Sequence, residues 1–527
     1  MSPVLVAVVC GIAVAAALAV AGLRWLRVAQ REHYLPGHVL RIARLWATRS
    51  PLDLVLMVLG LAAAVGAVVA EAAGAKAAAI AAVVLAAAVG AAVPLGLSPV
   101  GRTSKLGRTA RLGRLTAAWF VLVVVLGALA VLLAGWPALA LLAVTVPLTL
   151  DAALAVTGVI EKRLSRPFVV SAQRRLARVR PQVVAITGSY GKTSTKGYVA
   201  HLLAGTRTVV ASPASFNNRL GLSRAVNDVL VDGTDVFVAE MGTYGPGEIR
   251  ELCELFPPDV AVITTIGEAH LERMRTHATI LGAKSEITER AGTVVLPVDT
   301  PELAALAERC RAAGKRVVAV ATTPDAAGPG PAPDVVVDLA AGRATVPGED
   351  GPVELTVGAG VAHGVNLAVA LGVAHALGAA PADLARRLDA LPRAAHRAEV
   401  QDSGTGLLVV DDTYNANPIG ARAAVEEAAA LATGRGGPLV VVTPGIVELG
   451  HVQVERNADF AEAAGRAGAH VIVVGRTNRA ALLAGAARAG AEVPVVDRRE
   501  QAVPVATRLA ADRGVILYEN DLPDHYP

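Results

Sequence analysis

Apolar residues are unevenly spread along these 527 residues: five long runs come first, then a series of short ones. The long runs lie at 3–23, about 54–73, 77–95, 115–135 and 138–160. Wound as helices, runs of this length match a ~30 Å hydrocarbon core, so the pattern predicts an α-helical membrane region of about five transmembrane helices. The connections sort by charge. Residues 24–50 carry six arginines against one acid, Glu32, and residues 96–114 carry five Lys/Arg and no acid. The stretch from Glu161 to Arg180 is again rich in arginine, whereas 71–76 and 135–137 are short and nearly neutral. Basic connections stay on the cytoplasmic side, which predicts an outside N-terminus and a cytoplasmic location for everything after residue 161. The first run lacks a basic leader and is followed by arginines, unlike a cleaved signal peptide. The second and third runs are Ala/Gly-rich, a composition suited to close helix packing; three spans with this pair lying differently is the alternative. Asp151 falls inside the fifth run. A carboxylate at that depth is a candidate functional group, or else one that lies near the cytoplasmic interface or is hydrogen-bonded within the bundle.

After residue 181 the pattern changes. Short β-branched runs at 183–187, 207–211, 235–240, 259–264, 293–297 and 316–321 alternate with alanine-rich helical stretches. This predicts a doubly wound α/β domain with a parallel sheet. A Pro/Gly-rich loop at 324–337, with a small β element after it, precedes a helix pair at 364–378 and 381–390. A linker near 391–397 leads to a second α/β block with strands near 406–411, 438–443, 470–474, 493–496 and 515–518. The expected domains are thus 1–165 in the membrane, 166–392 as a central α/β domain, and 393–527 as a Rossmann-like C-terminal domain. Mean hydropathy is +0.51, too apolar for a wholly soluble chain. A net charge of +4 and the lack of an aromatic-interleaved basic patch argue against nucleic acid. Three cysteines (Cys10, Cys253, Cys310) without metal spacing fit a reducing compartment.

The chemistry begins where the first of the short runs ends. Val183–Lys196 reads VVAITGSYGKTSTK: strand, glycine-bounded loop, helix start. Such a loop lets backbone N–H groups of Thr187, Gly188, Ser189, Tyr190, Gly191, Lys192, Thr193 and Ser194 approach phosphate, and the helix end adds positive potential. Lys192 can reach terminal phosphates and Thr193 can hold Mg²⁺. The loop is shorter than the usual phosphate loop, with Ile186 where the first glycine would stand. Read alone, the segment could still be an ordinary turn. It is followed in order by Ser215–Gly221 (SFNNRLG), by Glu240 at the end of an apolar run, by ITTIGEAH ending on His270, and by Lys284 in AKSE. Strand ends on one edge of an open α/β sheet are where ligands bind.

Together with Asp411–Pro418 (DDTYNANP) and Glu448-Leu449-Gly450, this ordered set closely resembles the Mur ligase family over roughly residues 181–527. Within that family it is most like the branch that adds D-alanyl-D-alanine to a UDP-linked muramoyl tripeptide. The resemblance implies an ATP-dependent ligase. It would transfer a phosphoryl group to a carboxylate and then let an amine displace phosphate from the acyl phosphate. Lys192, His270 and Lys284 would then be catalytic. Thr193 and Glu240 would hold one Mg²⁺; His270 and a carbamylated Lys284 would serve a second. Asn366 would lie near adenine, while Arg397 and Asp412 would reach the nucleotide from the domain junction and the C-terminal domain.

The departures are local. Leu296–Asp299 reads LPVD, only Asn366 remains of an HNxxN helix start, and Pro444–Gly450 reads PGIVELG without the family's aspartate. The family's UDP-recognition domain has no counterpart in the apolar first 160 residues. The implied partners are ATP, a carboxylate acceptor that could be lipid-linked, an amine and a membrane. A poly-γ-glutamate synthetase-like ligase and a non-catalytic nucleotide-binding scaffold are the alternatives.

Overall fold

The computed structural model describes residues 3–101, 105–323, 332–358, 361, 363–392, 399–402, 404, 406–413 and 416–527. The chain forms two compact units. One comprises residues 1–165 together with 475–477 and 522–527; the other comprises 166–474 and 478–521.

In the first unit every long apolar run lies on a helix: α1 (Pro3–Arg31), α3 (Pro51–Ala72), α4 (Lys76–Ala92), α5 (Ala110–Ala134) and a broken segment. Between α1 and α3 lies α2 (His38–Arg49), an amphipathic helix that buries Val39, Ile42 and Trp46. The broken segment is Trp136–Val144, which includes α6 (Ala140–Val144), bent by 77° against α7 (Val146–Leu164). Pro147 in the first turn of α7 removes a backbone donor at the break.

The expected count of five spans is not confirmed. Among the described residues three helices are long and apolar enough to cross a membrane, or up to four if the bent pair is one span. At 17 residues, α4 is about 25 Å long, short of a ~30 Å core. Small residues let α3 and α4 pack closely: Ala64, Ala67, Ala86 and Ala87 are buried, and a Cβ on Gly60 of α3 would strike Val89 of α4.

The basic connections collect at one end. Gln30 Nε2 donates to Gly107 O at 2.8 Å, and Arg114 Nε donates to Glu161 Oε1 at 2.6 Å. The short connections meet elsewhere, where Trp136 Nε1 donates to Glu71 Oε1 at 3.4 Å. Asp151 has a structural role: its carboxylate accepts from the backbone N–H groups of Gly37 (3.0 Å), Val39 (3.4 Å) and Leu40 (2.8 Å), capping α2.

The final residues, for which the sequence suggested no role, leave the C-terminal domain and pack into this unit. Trp46 Nε1 donates to His525 O (3.0 Å), Arg27 pairs with Asp524 (2.5 Å), and His525 Nε2 lies 3.0 Å from Glu32 Oε1. Burial alone would raise the Glu32 pKa. Hydrogen bonds from His38 and His525 and the charge of Arg41 outweigh it and hold the carboxyl far below its usual range.

The second unit opens with the helix α8 (Arg166–Val179) and holds two sheets. The first is built from β1 (Gln182–Thr187), β2 (Val209–Ala211), β3 (Val236–Glu240), β4 (Val260–Ile263), β5 (Thr293–Pro297), β6 (Arg316–Ala321), β7 (Val335–Asp338), β8 (Arg343–Gly348) and β9 (Gly351–Thr356). Their order is β2-β3-β1-β4-β5-β6-β7-β8-β9, parallel through β7. The expectation of a parallel sheet needs one amendment: β8 and β9 are an antiparallel extension, the small β element expected after the Pro/Gly-rich loop. β-branched strands such as Val183–Ile186 are buried on both faces, as helix-covered parallel strands require.

The strand order reverses direction around β1, so the crevice at its carboxyl end is the natural ligand position. The helix that follows β1, α9 (Lys192–Leu203), starts at that crevice. The second sheet has β10 (Glu399–Asp402), β11 (Leu408–Asp412), β12 (Leu439–Thr443), β13 (His470–Val474), β14 (Val495–Val496) and β15 (Val515–Glu519) in the order β10-β11-β15-β12-β13-β14. Only β10 is antiparallel, and its sequence gave no strand signal.

Candidate active site

The glycine loop closes over the end of β1 in a conformation that needs its glycines. Gly191 has φ +79° and starts α9 without a side-chain cap, so the first-turn N–H groups of Lys192, Thr193 and Ser194 face outward. Gly188 has φ +152°, and a Cβ there would collide with Thr264 Oγ1. A Cβ on Gly191 would collide with Asn366 Oδ1, which places the buried Asn366 directly against the loop.

The segment after β4 pins the rest. Ser189 N donates to Thr265 O (2.8 Å), Tyr190 N donates to Thr265 Oγ1 (3.1 Å), and Gly267 N donates to Ser189 Oγ (2.9 Å). The Thr264 hydroxyl donates to Tyr190 O. Thr187 is fully buried beneath the loop.

Two lysines converge on one oxygen. Lys192 Nζ donates to Gly188 O at 2.7 Å and Lys284 Nζ donates to the same carbonyl at 3.1 Å. Lys284 is 1 % exposed. Burial, and then the charge of Lys192, hold its pKa well below the ordinary lysine value, favouring the neutral amine.

Thr193 Oγ1 donates to Glu240 Oε2 at 3.1 Å, bringing a hydroxyl and a carboxylate together at the ends of adjacent elements. Glu240 is also held by Asn217 Nδ2 (3.3 Å) and forms a buried ion pair with Lys196 Nζ at 2.9 Å. The sequence reading missed Lys196. It lies four residues after Lys192 on the same helix face, a signal that the motif obscured.

His270 sits after β4 in a left-handed conformation, φ +62°. Its Nδ1–H donates to Glu448 Oε2 at 2.7 Å, and the other oxygen of Glu448 accepts from Arg273. Burial lowers the His270 pKa, the pairing with Glu448 opposes this, and the nearby charge of Lys192 adds to the lowering. Arg456 of the C-terminal domain pairs with Glu268 at 2.7 Å. Asp412 lies at the carboxyl end of β11, in register with Glu519 on β15. Arg397, Tyr414 and Asn415 lie outside the described residues.

Among the described residues no three His, Cys, Asp or Glu side chains converge as a self-sufficient metal site. The oxygens of Thr193 and Glu240 instead match Mg²⁺, which takes one or two protein oxygens and completes its shell with phosphates and water.

The fold and loop define a nucleotide-binding α/β protein whose C-terminal domain meets the strand ends of the central one. Residues 186–374 match the Mur ligase middle domain and residues 396–518 match the Mur ligase, glutamate ligase domain. The chain belongs to the Mur ligase family through these two domains; residues 1–165 lie outside both.

It is 36 % identical over 256 residues to the UDP-N-acetylmuramoyl-tripeptide–D-alanyl-D-alanine ligase of Mycobacterium tuberculosis, covering 47 % of this chain and 49 % of that one. With the Bacillus subtilis enzyme of the same name it shares 29 % over 258 residues, 48 % of this chain and 54 % of that one. The chain thus spans about half the length of these curated relatives. A MurF ligase structure from Thermotoga maritima in complex with ADP matches with a TM-score of 0.53 and 26 % identity, covering 68 % of this chain and 80 % of that one. MurF from Acinetobacter baumannii matches in fold with a TM-score of 0.56 at 24 % identity, covering 67 % and 77 %.

Proposed function

We propose that this protein is a membrane-integral, ATP-dependent ligase that joins a carboxylate to an amine through an acyl phosphate, on a peptidoglycan-related precursor. The observation that carries this reading is the loop itself. Gly188–Ser194, two lysines on one carbonyl, and a Thr193–Glu240 pair occupy the strand-order switch of a Mur ligase middle domain.

The substrate carboxylate attacks the γ-phosphorus of ATP, a P–O bond forms, and ADP leaves. The amine then attacks the carbonyl carbon of the acyl phosphate, phosphate leaves, and the ammonium proton passes to solvent or a nearby base. Lys192 and the α9 N-terminus hold the phosphate charge in place. Thr193 and Glu240 would hold one Mg²⁺. His270 and Lys284, the latter after its neutral amine has added CO₂, would serve a second. These ions supply charge neutralisation on the phosphoryl oxygens when bound. Asn366 and Gly191 set the loop's shape; Asp412 would approach the nucleotide from the C-terminal side, and the family resemblance gives Arg397 the same part. Contacts such as Arg456–Glu268 exclude water from the labile intermediate.

The basic connections gathered at one end of the membrane unit support an outside N-terminus and cytoplasmic ligase domains. Membrane helices on the same chain favour a lipid-linked acceptor. D-alanyl-D-alanine is the amine suggested by the relatives.

The test uses the full-length protein in detergent with ATP, D-alanyl-D-alanine and either UDP-linked or lipid-linked muramoyl tripeptide, reading ADP release and the amide by mass spectrometry. The expected result is ADP release that needs both substrates and is lost in Lys192→Ala. Turnover of the UDP-linked acceptor alone would overturn the lipid-linked part. Synthesis of a high-mass acidic polymer, or no ATP turnover with any pair, would overturn the whole reading.

A further inference from the structure

The segment that carries His270 is gripped by the C-terminal domain at several points. Glu448, in the loop after β12, accepts from His270 Nδ1–H at 2.7 Å with one carboxylate oxygen and from Arg273 with the other. Its backbone carbonyl accepts from Glu272 N at 3.1 Å. Gly450 packs so closely that a Cβ there would lie 3.1 Å from the Cα of Glu272. Both His270 and Glu448 adopt left-handed backbone, φ +62° and +66°. These torsions cost energy at non-glycine residues and persist where surrounding contacts impose them. Tyr244 closes the other side, edge-on to the imidazole at 5.1 Å and beneath the Arg273 guanidinium at 4.3 Å.

A carboxylate accepts but does not donate. The His270 proton is therefore held on Nδ1, and the lone pair is left on Nε2. A carboxylate on the far nitrogen is the arrangement that orients a histidine toward a metal ion.

We propose that Glu448 is a positioning residue. It fixes the ring and tautomer of His270, so that the second divalent-ion site is completed only when the C-terminal domain is docked on residues 268–274. The proposal rests on the reading of His270 as a residue of that site. It makes domain docking a condition for loading the ion, rather than only a means of excluding water.

The experiment counts Mn²⁺ ions bound to the full-length protein with a non-hydrolysable ATP analogue, by electron paramagnetic resonance of free Mn²⁺. Wild type should bind two ions and His270→Ala one. Glu448→Gln should weaken the second ion by about 10- to 100-fold while leaving the first ion and the nucleotide bound, which reports an intact fold. Arg456→Ala loosens the same docking through the neighbouring Arg456–Glu268 pair without touching His270, and should weaken the second ion less than Glu448→Gln does. If Glu448→Gln keeps wild-type affinity while His270→Ala loses the second ion, the positioning role is wrong and the site stands. If His270→Ala keeps both ions, the underlying reading fails. If Arg456→Ala weakens the second ion as much as Glu448→Gln, the effect belongs to docking alone and the proposal is overturned.

Discussion

Glu519 ends β15, a central strand of the C-terminal sheet, and is fully buried. Thr443 Oγ1 donates to Oε2 at 2.6 Å, and Oε1 has no hydrogen-bond partner among the described residues. Burial pushes this carboxyl from its ordinary 4.5 up to about 8; the Thr443 hydrogen bond works against the shift and Asp412 works with it. The native state therefore binds a proton that the unfolded chain has already lost. The associated stability is fully present below pH 4.5 and is lost as the pH rises toward 8, flattening above it. At 1.36 kcal/mol per pH unit, tapering near 8, the loss between pH 6 and 8 is roughly 2 kcal/mol, about thirtyfold in the opening equilibrium. Glu519→Gln keeps the shape and an acceptor for Thr443 but cannot titrate. Hydrogen exchange of the β15 amides at each pH gives the assay, because the wild-type to variant ratio of protection cancels the intrinsic rates. The ratio should fall about thirtyfold from pH 6 to pH 8. A ratio that stays constant would refute the claim that Glu519 is held protonated by its burial.

Other outcomes follow from single contacts. Asp151→Ala removes the cap from three N–H groups of α2 and should cost about 1–2 kcal/mol; all four tryptophans (Trp25, Trp46, Trp119, Trp136) belong to the same unit, so a fall in its fluorescence melting temperature reports the loss and an unchanged one rules the cap out. Gly191→Ala forces a left-handed alanine, ~1–2 kcal/mol, and a clash with Asn366; trinitrophenyl-ATP should bind about tenfold more weakly or worse, and adding Asn366→Ala should recover only part of it. Lys284→Ala should lose ligase activity and regain part of it with added short carboxylates. In wild type a ¹³C-bicarbonate label should yield a carbamate resonance that is absent from Lys284→Ala. Full activity of Lys284→Ala would remove the carbamate from the mechanism.

Much of the unit after residue 166 was legible along the chain. Strands such as 293–297 and 316–321 match their expected limits, because buried parallel strands are written as continuous β-branched runs. The edge strand β10, EVQD, was not legible, since its pairing comes from β11 and not from its own residues. The loop glycines were readable because their backbone angles exclude most side chains. The Lys196–Glu240 pair, the meeting of two lysines on Gly188 O, and Glu448 on His270 were not, for each joins residues distant in sequence or hidden within a motif. In the first unit the apolar runs marked the helices. Their number as spans depended on length and bend, which hydropathy alone leaves open: α4 is short and the last segment turns by 77°.

The sequence by itself determined the order of the elements, the phosphate loop and the residue types fit for phosphate, Mg²⁺ and amide chemistry, because local backbone limits and burial periodicity act over a few neighbours. Only the tertiary structure decided what each charge faces: Asp151 on a helix end, His525 on Glu32, Glu448 on His270, and Glu519 buried beside Thr443. Desolvation and hydrogen bonding depend on which distant segments arrive at the same place, and that is a property of the folded chain.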